Sequence, residues 1–380
     1  MATRGSPTLR EAGYTYLIID DCWQGKRHPD TGAIEADASR FPSGMAATAD
    51  YVHGRGLRFG LYSDIGNATC AGRPGALGHE ETDAATYAAW GVDYLKVDFC
   101  YSAGEDPVTH YRTVSRALGD DSTRRIFLAA CSWGRGAPWT WGPTVAADSW
   151  RTGPDLLPFW SATTKAAIAD DFVAAEGTYV NADGKAEAGL KLSTTDAVLQ
   201  AADRVAGLGR FAGPAVGWND PDMVVGFDGM TLDDNAGGDA RRWGGLTPDQ
   251  AASHLALWAV AAAPLILGVD VADLPPDLQA LMTNADLIAV SQDPGGVPGR
   301  VVWSASDAGW AAGRPPVAAS GGADADVDVW VRPLTGGARG DMEYAVLAVN
   351  RDARRSTTLA GPTWARLLPV AATGVAAASG

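Results

Sequence analysis

No apolar run in this sequence approaches the ~20 residues needed to cross a bilayer, so no membrane-spanning helix and no membrane partner are expected. The N-terminal stretch MATRGSPTLREAGY has no apolar h-region, and no signal peptide is expected in this chain. Basic residues are short: 30 Lys and Arg against 45 Asp and Glu leave a net charge of −15. No Lys/Arg cluster offsets that balance, which argues against a nucleic-acid partner. The four cysteines, Cys22, Cys70, Cys100 and Cys131, never fall at Cys-x-x-Cys spacing, so a thiolate metal site is not indicated. No glycine phosphate loop follows the first predicted strand, and no repeat of fixed period is present.

What remains describes a globular protein, 46% hydrophobic and 20% charged over 380 residues. That length suits a large barrel with a small additional domain. Strands are expected to start at residues 16, 58, 94, 126, 146, 214 and 264, each followed by a helix or a long loop. Such alternation implies a parallel sheet with right-handed crossovers. Asp20, Asp21, Tyr62, Asp98, Trp133, Arg151 and Asp222 all fall at or just past strand C-termini. Polar groups gathered there mark the active face of a (β/α)8 barrel. The missing eighth strand would be the first, because the chain opens inside the helix that would follow it, Ser6–Ala12. The barrel is expected over residues 1–294. Beyond it, short alternating strands separated by Gly-, Ala- and Ser-rich loops predict a small antiparallel β domain over 295–380. The polar stretch from Trp160 to Asp196 reads as an excursion with a hairpin turn at 181–184.

The segment Tyr94-Leu-Lys-Val-Asp98 is the most informative strand. Alternation puts Tyr94, Lys96 and Asp98 on one face, where a Lys⁺ would keep Asp98 ionised by direct attraction. A fixed carboxylate at a strand end suits a nucleophile; a structural Lys–Asp pair is the alternative. Several carboxylates among aromatics suggest sugar chemistry. Retaining glycoside hydrolysis needs two carboxyl groups roughly 5–5.5 Å apart. Asp155, on the loop after the Trp150–Arg151 strand, is the candidate acid, expected close to Asp98 and partly desolvated. Asp20, Asp21 and Asp222 could instead hold Mg²⁺ or Ca²⁺, but no His joins them and no phosphate cradle accompanies them. Neither metal nor cofactor is therefore expected. Asp64 is read as structural, capping the turn before Gly66. Cys70 and Cys100 each lie just beyond a predicted strand end, which makes a bridge between them plausible; four buried thiols is the alternative.

The segments YLIIDDCWQ, GLRFGLYSDIGNATCAGRPGALGHE, WGVDYLKVDFC, SWRTGPDL and GWNDPDM occur in order and resemble the signatures of melibiase-type α-galactosidases, glycoside hydrolase family 27. The resemblance runs from about Glu11 to about Arg300 and implies a (β/α)8 barrel, an antiparallel β domain and retaining hydrolysis of terminal α-D-galactosides. It implies Asp98 as nucleophile and Asp155 as acid/base. It sets Asp20 and Asp21 against the sugar's 4- and 6-hydroxyls, and Arg151 and Asp222 near the 2-hydroxyl. Tyr62 and Lys96 match sugar-contacting positions, Trp133 and Met223 pocket walls, and Cys70 with Cys100 a disulfide at the pocket wall. Secretion is likewise implied by the family. The oligomeric state is left open.

Three departures accompany the resemblance. The family's opening Gly-Trp-Asn-Ser-Trp strand is not in this sequence, which removes a pocket Trp and the usual partner of Cys22. Ser132 stands where many α-galactosidases carry an acidic residue, and a smaller side chain there could admit a 2-acetamido group. The excursion after Trp160 is longer than usual. Alternatives within the family are therefore an α-N-acetylgalactosaminidase, a β-L-arabinopyranosidase or an isomalto-dextranase; outside catalysis, an inactive sugar-binding homologue. The Asp20-Asp21 pair disfavours the arabinose reading, because that sugar lacks C6.

Overall fold

A computed structural model describes residues 7–102, 106–119, 125–161, 178–180, 186–188, 195–226, 231–232, 241–242, 246–272, 274–304, 327–335 and 343–351. Six parallel strands form the main sheet: β1 (Tyr16–Ile19), β2 (Arg58–Asp64), β3 (Tyr94–Asp98), β4 (Phe127–Ala130), β5 (Ser149–Arg151) and β6 (Trp218–Asp220). They pair in chain order, with β1 and β6 at the two edges. Helices α1 (Gly44–His53), α2 (Glu80–Trp90) and α3 (Pro107–Gly119) follow the first three strands; α4 (Val198–Ala206) precedes β6 and α5 (Pro248–Val260) follows it. This is the strand–helix wall of a (β/α)8 barrel.

Alternation on the strands builds the wall. Phe59, Leu61, Leu95, Val97, Leu128 and Ala130 face outward and bury against Val52, Tyr87, Tyr111 and Val114 of the helices. Their neighbours point inward, where Tyr94 stacks on Phe127 with ring centroids 5.2 Å apart. Parallel register then carries polar strand ends to one rim: Tyr62 lies opposite Lys96, and Asp64 opposite Asp98. Asp220 lies opposite Arg151. At the other edge of the wall, β1 has no second strand partner among the described residues, and its Leu17 is 42% exposed.

The seventh expected strand, at 264, is reduced to a parallel bridge between Val224 and Leu267. Pro264 has no N–H to give a ladder, which favours a short contact over a strand. The expected strand at 214 starts four residues later, because Gly213 and Gly217 close a turn through mutual backbone hydrogen bonds of 2.9 Å. After the bridge at Leu267 the chain forms two short helices, α6 (Pro276–Met282) and α7 (Ala285–Ser291). Asn284 divides them, its side chain accepting the Asp286 and Leu287 N–H groups at 3.0 Å each.

A three-stranded antiparallel sheet closes the described chain: β7 (Arg300–Ser304), β8 (Val327–Leu334) and β9 (Glu343–Asn350), in that order. Val301, Trp330 and Val349 of this sheet share one buried cluster with Leu255, Trp258 and Val260 of α5. The expected hairpin in the 160–196 excursion is present as paired strands, Thr178 opposite Ala188; its turn residues lie outside the described residues, as do the C-terminal residues from 352.

Candidate active site

The β2, β3, β5 and β6 ends and the loops after them assemble one polar cluster. Asp98, the last residue of β3, is buried. Its Oδ1 accepts the Phe99 N–H at 2.9 Å, and its Oδ2 accepts the Tyr62 hydroxyl at 3.2 Å. Burial pushes the Asp98 carboxyl up to about 6, against the charge of Lys96 and aided by that of Asp155.

Lys96 does not pair directly with Asp98, as the strand pattern suggested. Its Nζ donates to Asp20 Oδ2 at 2.8 Å and sits 5.2 Å from the Tyr62 ring centroid. The reason is geometric: residues two apart on a strand are separated by about 7 Å, whereas the β1 end lies within reach of the ammonium. Lys96 still acts on Asp98 through space, but burial outweighs it. At Asp20, whose side chain is half exposed, the balance reverses: partial desolvation is outweighed by the Lys96 charge and hydrogen bond and by the Asp21 N–H, which hold this carboxyl below its ordinary value.

Asp21 is occupied otherwise. Its Oδ1 accepts the Cys22 N–H at 2.6 Å and its Oδ2 the Ala71 N–H at 2.9 Å, so it ties the loop after β2 to the β1 end. That loop is also stapled by the Cys70–Cys100 disulfide, while Cys22 and Cys131 are free and buried. Asp64 caps the turn as expected: Oδ1 accepts the Gly66 N–H at 2.7 Å and Oδ2 the Cys100 N–H at 2.9 Å. Asp64, Asp98, Cys70 and Cys100 each bring one ligand-type atom within 4.8 Å of the others. The two sulfurs are bonded to each other, so this group offers a cation no thiolate.

On the far side, buried Arg151 joins two carboxylates. Its Nη2 lies 2.9 Å from Asp222 Oδ2 and 3.1 Å from Asp155 Oδ1. Burial pushes the Asp222 carboxyl up to about 6 despite the guanidinium. Asp222 also accepts the Leu156 N–H at 2.8 Å and the Met223 N–H at 2.7 Å. Asp155 is 71% exposed at its side chain. The desolvation expected of an acid is thus not supplied by the chain alone, because Asp155 stands on a loop rim rather than in the barrel wall.

Trp133, at φ 53, packs edge-on to Phe99 with centroids 6.3 Å apart. Ser132 is wholly buried and donates to the Arg135 carbonyl at 3.3 Å, so its hydroxyl is engaged by its own loop. Met223 is partly buried and packs against the cluster that contains Val224, Val225 and Trp258. Sequence reasoning missed Asp220, whose Oδ1 accepts the Asp222 N–H at 2.8 Å, although the Asn-Asp-Pro-Asp run was a visible signal. It also missed Trp258, whose position inside a helix carries no signal.

Fixed carboxylates, a Lys and an Arg at the C-terminal mouth of a (β/α)8 wall, among indole and phenol rings, make the chemistry of a glycoside hydrolase. The α-galactosidase A (melibiase) family profile matches residues 2–187 and 191–293. The chain belongs to this family, glycoside hydrolase family 27, and is a glycoside hydrolase of the α-galactosidase type. It is 36% identical to α-galactosidase A of Cellvibrio japonicus over 351 residues, 92% of this chain and 69% of that protein. The α-galactosidase of Saccharomyces cerevisiae, solved with raffinose, superposes with a TM-score of 0.67 at 31% identity, over 90% of this chain and 67% of that one. A Bacteroides fragilis structure matches with a TM-score of 0.67 and 32% identity, over 90% of this chain and 61% of that one. No helix among the described residues is long and apolar enough to cross a membrane.

Proposed function

We propose that this chain removes terminal α-D-galactosyl residues from oligosaccharides or polysaccharides by a retaining double displacement, with Asp98 as nucleophile and Asp155 as acid/base. The observation that carries the reading is the buried Asp98, held at two oxygens by Phe99 and Tyr62 and bordered by the charges of Lys96 and Asp155. In the first step Asp98 attacks C1 from the β face and the C1–O bond breaks, while the Asp155 proton passes to the leaving oxygen. In the second, Asp155 takes a proton from water, which attacks C1 and frees Asp98, giving α-galactose. An aglycone seated over Asp155 covers its exposed side chain during the first step.

Asp20, held by Lys96, is set to accept sugar hydroxyls at the rim; Asp21 serves chiefly by holding the Ala71 loop beside it. Arg151 and Asp222 face the 2-position, Tyr62 steadies the nucleophile, and Trp133 and Met223 border the sugar. The buried, internally bonded Ser132 gives no support to a 2-acetamido pocket. The Cys70–Cys100 bridge supports secretion into an oxidising compartment. The test is proton NMR of an aryl α-galactoside during turnover. α-Galactose appearing before mutarotation supports retention; β-galactose first refutes the double displacement.

A further inference from the structure

Asp222 is a non-glycine residue at φ 96, a strained left-handed conformation that persists only where its surroundings enforce it. Its amide donates to Asp220 Oδ1 at 2.8 Å, and its carboxylate is held by the Leu156 and Met223 amides and Arg151. Its carbonyl accepts the indole N–H of Trp258 at 2.7 Å. Trp258 lies on α5, behind the barrel wall, and is fully buried. Its ring packs edge-on to His254, centroids 4.2 Å apart, and His254 Nδ1 lies 3.2 Å from the Val225 carbonyl. Burial pushes the His254 imidazole down to about 3, so this support stays neutral across the working range.

We propose that Trp258 is a positioning residue for the sugar's 2-hydroxyl: its indole N–H fixes the Asp222 carbonyl, holds the left-handed backbone, and so aims the Asp222 carboxylate and the Arg151 guanidinium paired with it. Among the described residues, this is the one hydrogen bond on Asp222 that comes from a helix side chain outside the strand-end loops. Without it the peptide is free to rotate toward a relaxed φ. That rotation swings the Cα–Cβ bond and loosens the contacts to Leu156 and Arg151 together. The inference rests on the proposed placement of Asp222 at the 2-position.

The experiment compares kcat/KM on an aryl α-galactoside and on its 2-deoxy analogue, in the same sample of each variant. The ratio cancels the active fraction, so a merely destabilised protein leaves it unchanged. Trp258→Phe, which removes the N–H and keeps a ring, is expected to lower the ratio about three- to tenfold, the worth of one net hydrogen bond. Benzothienylalanine at position 258 keeps the full ring shape and drops only the N–H, and is expected to do the same should Trp258→Phe fold poorly. Asp222→Ala is the control for the underlying reading, with a ratio lowered about tenfold or more. An unchanged ratio in Asp222→Ala overturns the placement of Asp222 itself. A lowered ratio there with wild-type ratios in both position-258 variants overturns the role of Trp258 alone.

Discussion

Asp98→Asn is expected to destroy turnover and to stabilise the fold. The Asp98 carboxyl is raised from 3.8 to about 6 by burial. Ionising it at neutral pH therefore costs the native state about 3 kcal/mol, at 1.36 kcal/mol per unit. The sign follows from proton binding: the folded chain holds this proton more tightly than the unfolded chain. The penalty is thus absent below about 3.8, grows as pH rises to about 6, and is constant above. Asparagine keeps the shape and removes the charge, but its amide cannot accept from both Phe99 and Tyr62. Losing one hydrogen bond offsets about 1 kcal/mol of this, leaving a net gain of about 2 kcal/mol. For a chain of this size that raises Tm by about 2–4 °C. Thermal unfolding followed by circular dichroism at pH 7 and pH 4 measures it, with kcat on an aryl α-galactoside alongside. The variant should melt higher at pH 7, lose the advantage at pH 4, and turn over more than about 10³-fold slower. A lower Tm at pH 7, a gain independent of pH, or near-normal turnover would refute the reasoning.

Wild-type kcat/KM should fall as pH drops through about 6, where Asp98 and Asp222 both take up protons; a pH profile flat to pH 4.5 contradicts this. Lys96→Met should raise KM about tenfold by freeing Asp20, and should move the acid limb to higher pH, because the Lys96 charge lowers the Asp98 pKa. An acid limb that stays in place removes Lys96 from the electrostatics of Asp98. The Cys70→Ala, Cys100→Ala double variant should lose about 3–4 kcal/mol in denaturant unfolding, as the chain-entropy model gives for a bridge spanning 30 residues. An unchanged midpoint denies the bridge any part in stability.

The strand–helix alternation, the barrel class and the rim position of Asp20, Asp98, Arg151 and Asp222 were legible in the residue order, because period-2 and helical patterning are local properties. So was Asp64 capping the turn before Gly66. The bridge between Cys70 and Cys100 was legible as a plausible pairing.

Which charge meets which was decided only by tertiary structure. Lys96 serves Asp20, 76 residues away, rather than Asp98 two positions on. Asp21 spends its oxygens on amides, one of them 50 residues distant. Trp258 reaches Asp222 across 36 residues from a helix whose own pattern says only that it is buried. Local sequence specifies the face on which a side chain emerges. Its partner is whichever group the closing wall brings within about 3 Å, and that distance exists only once strands far apart in the chain lie side by side.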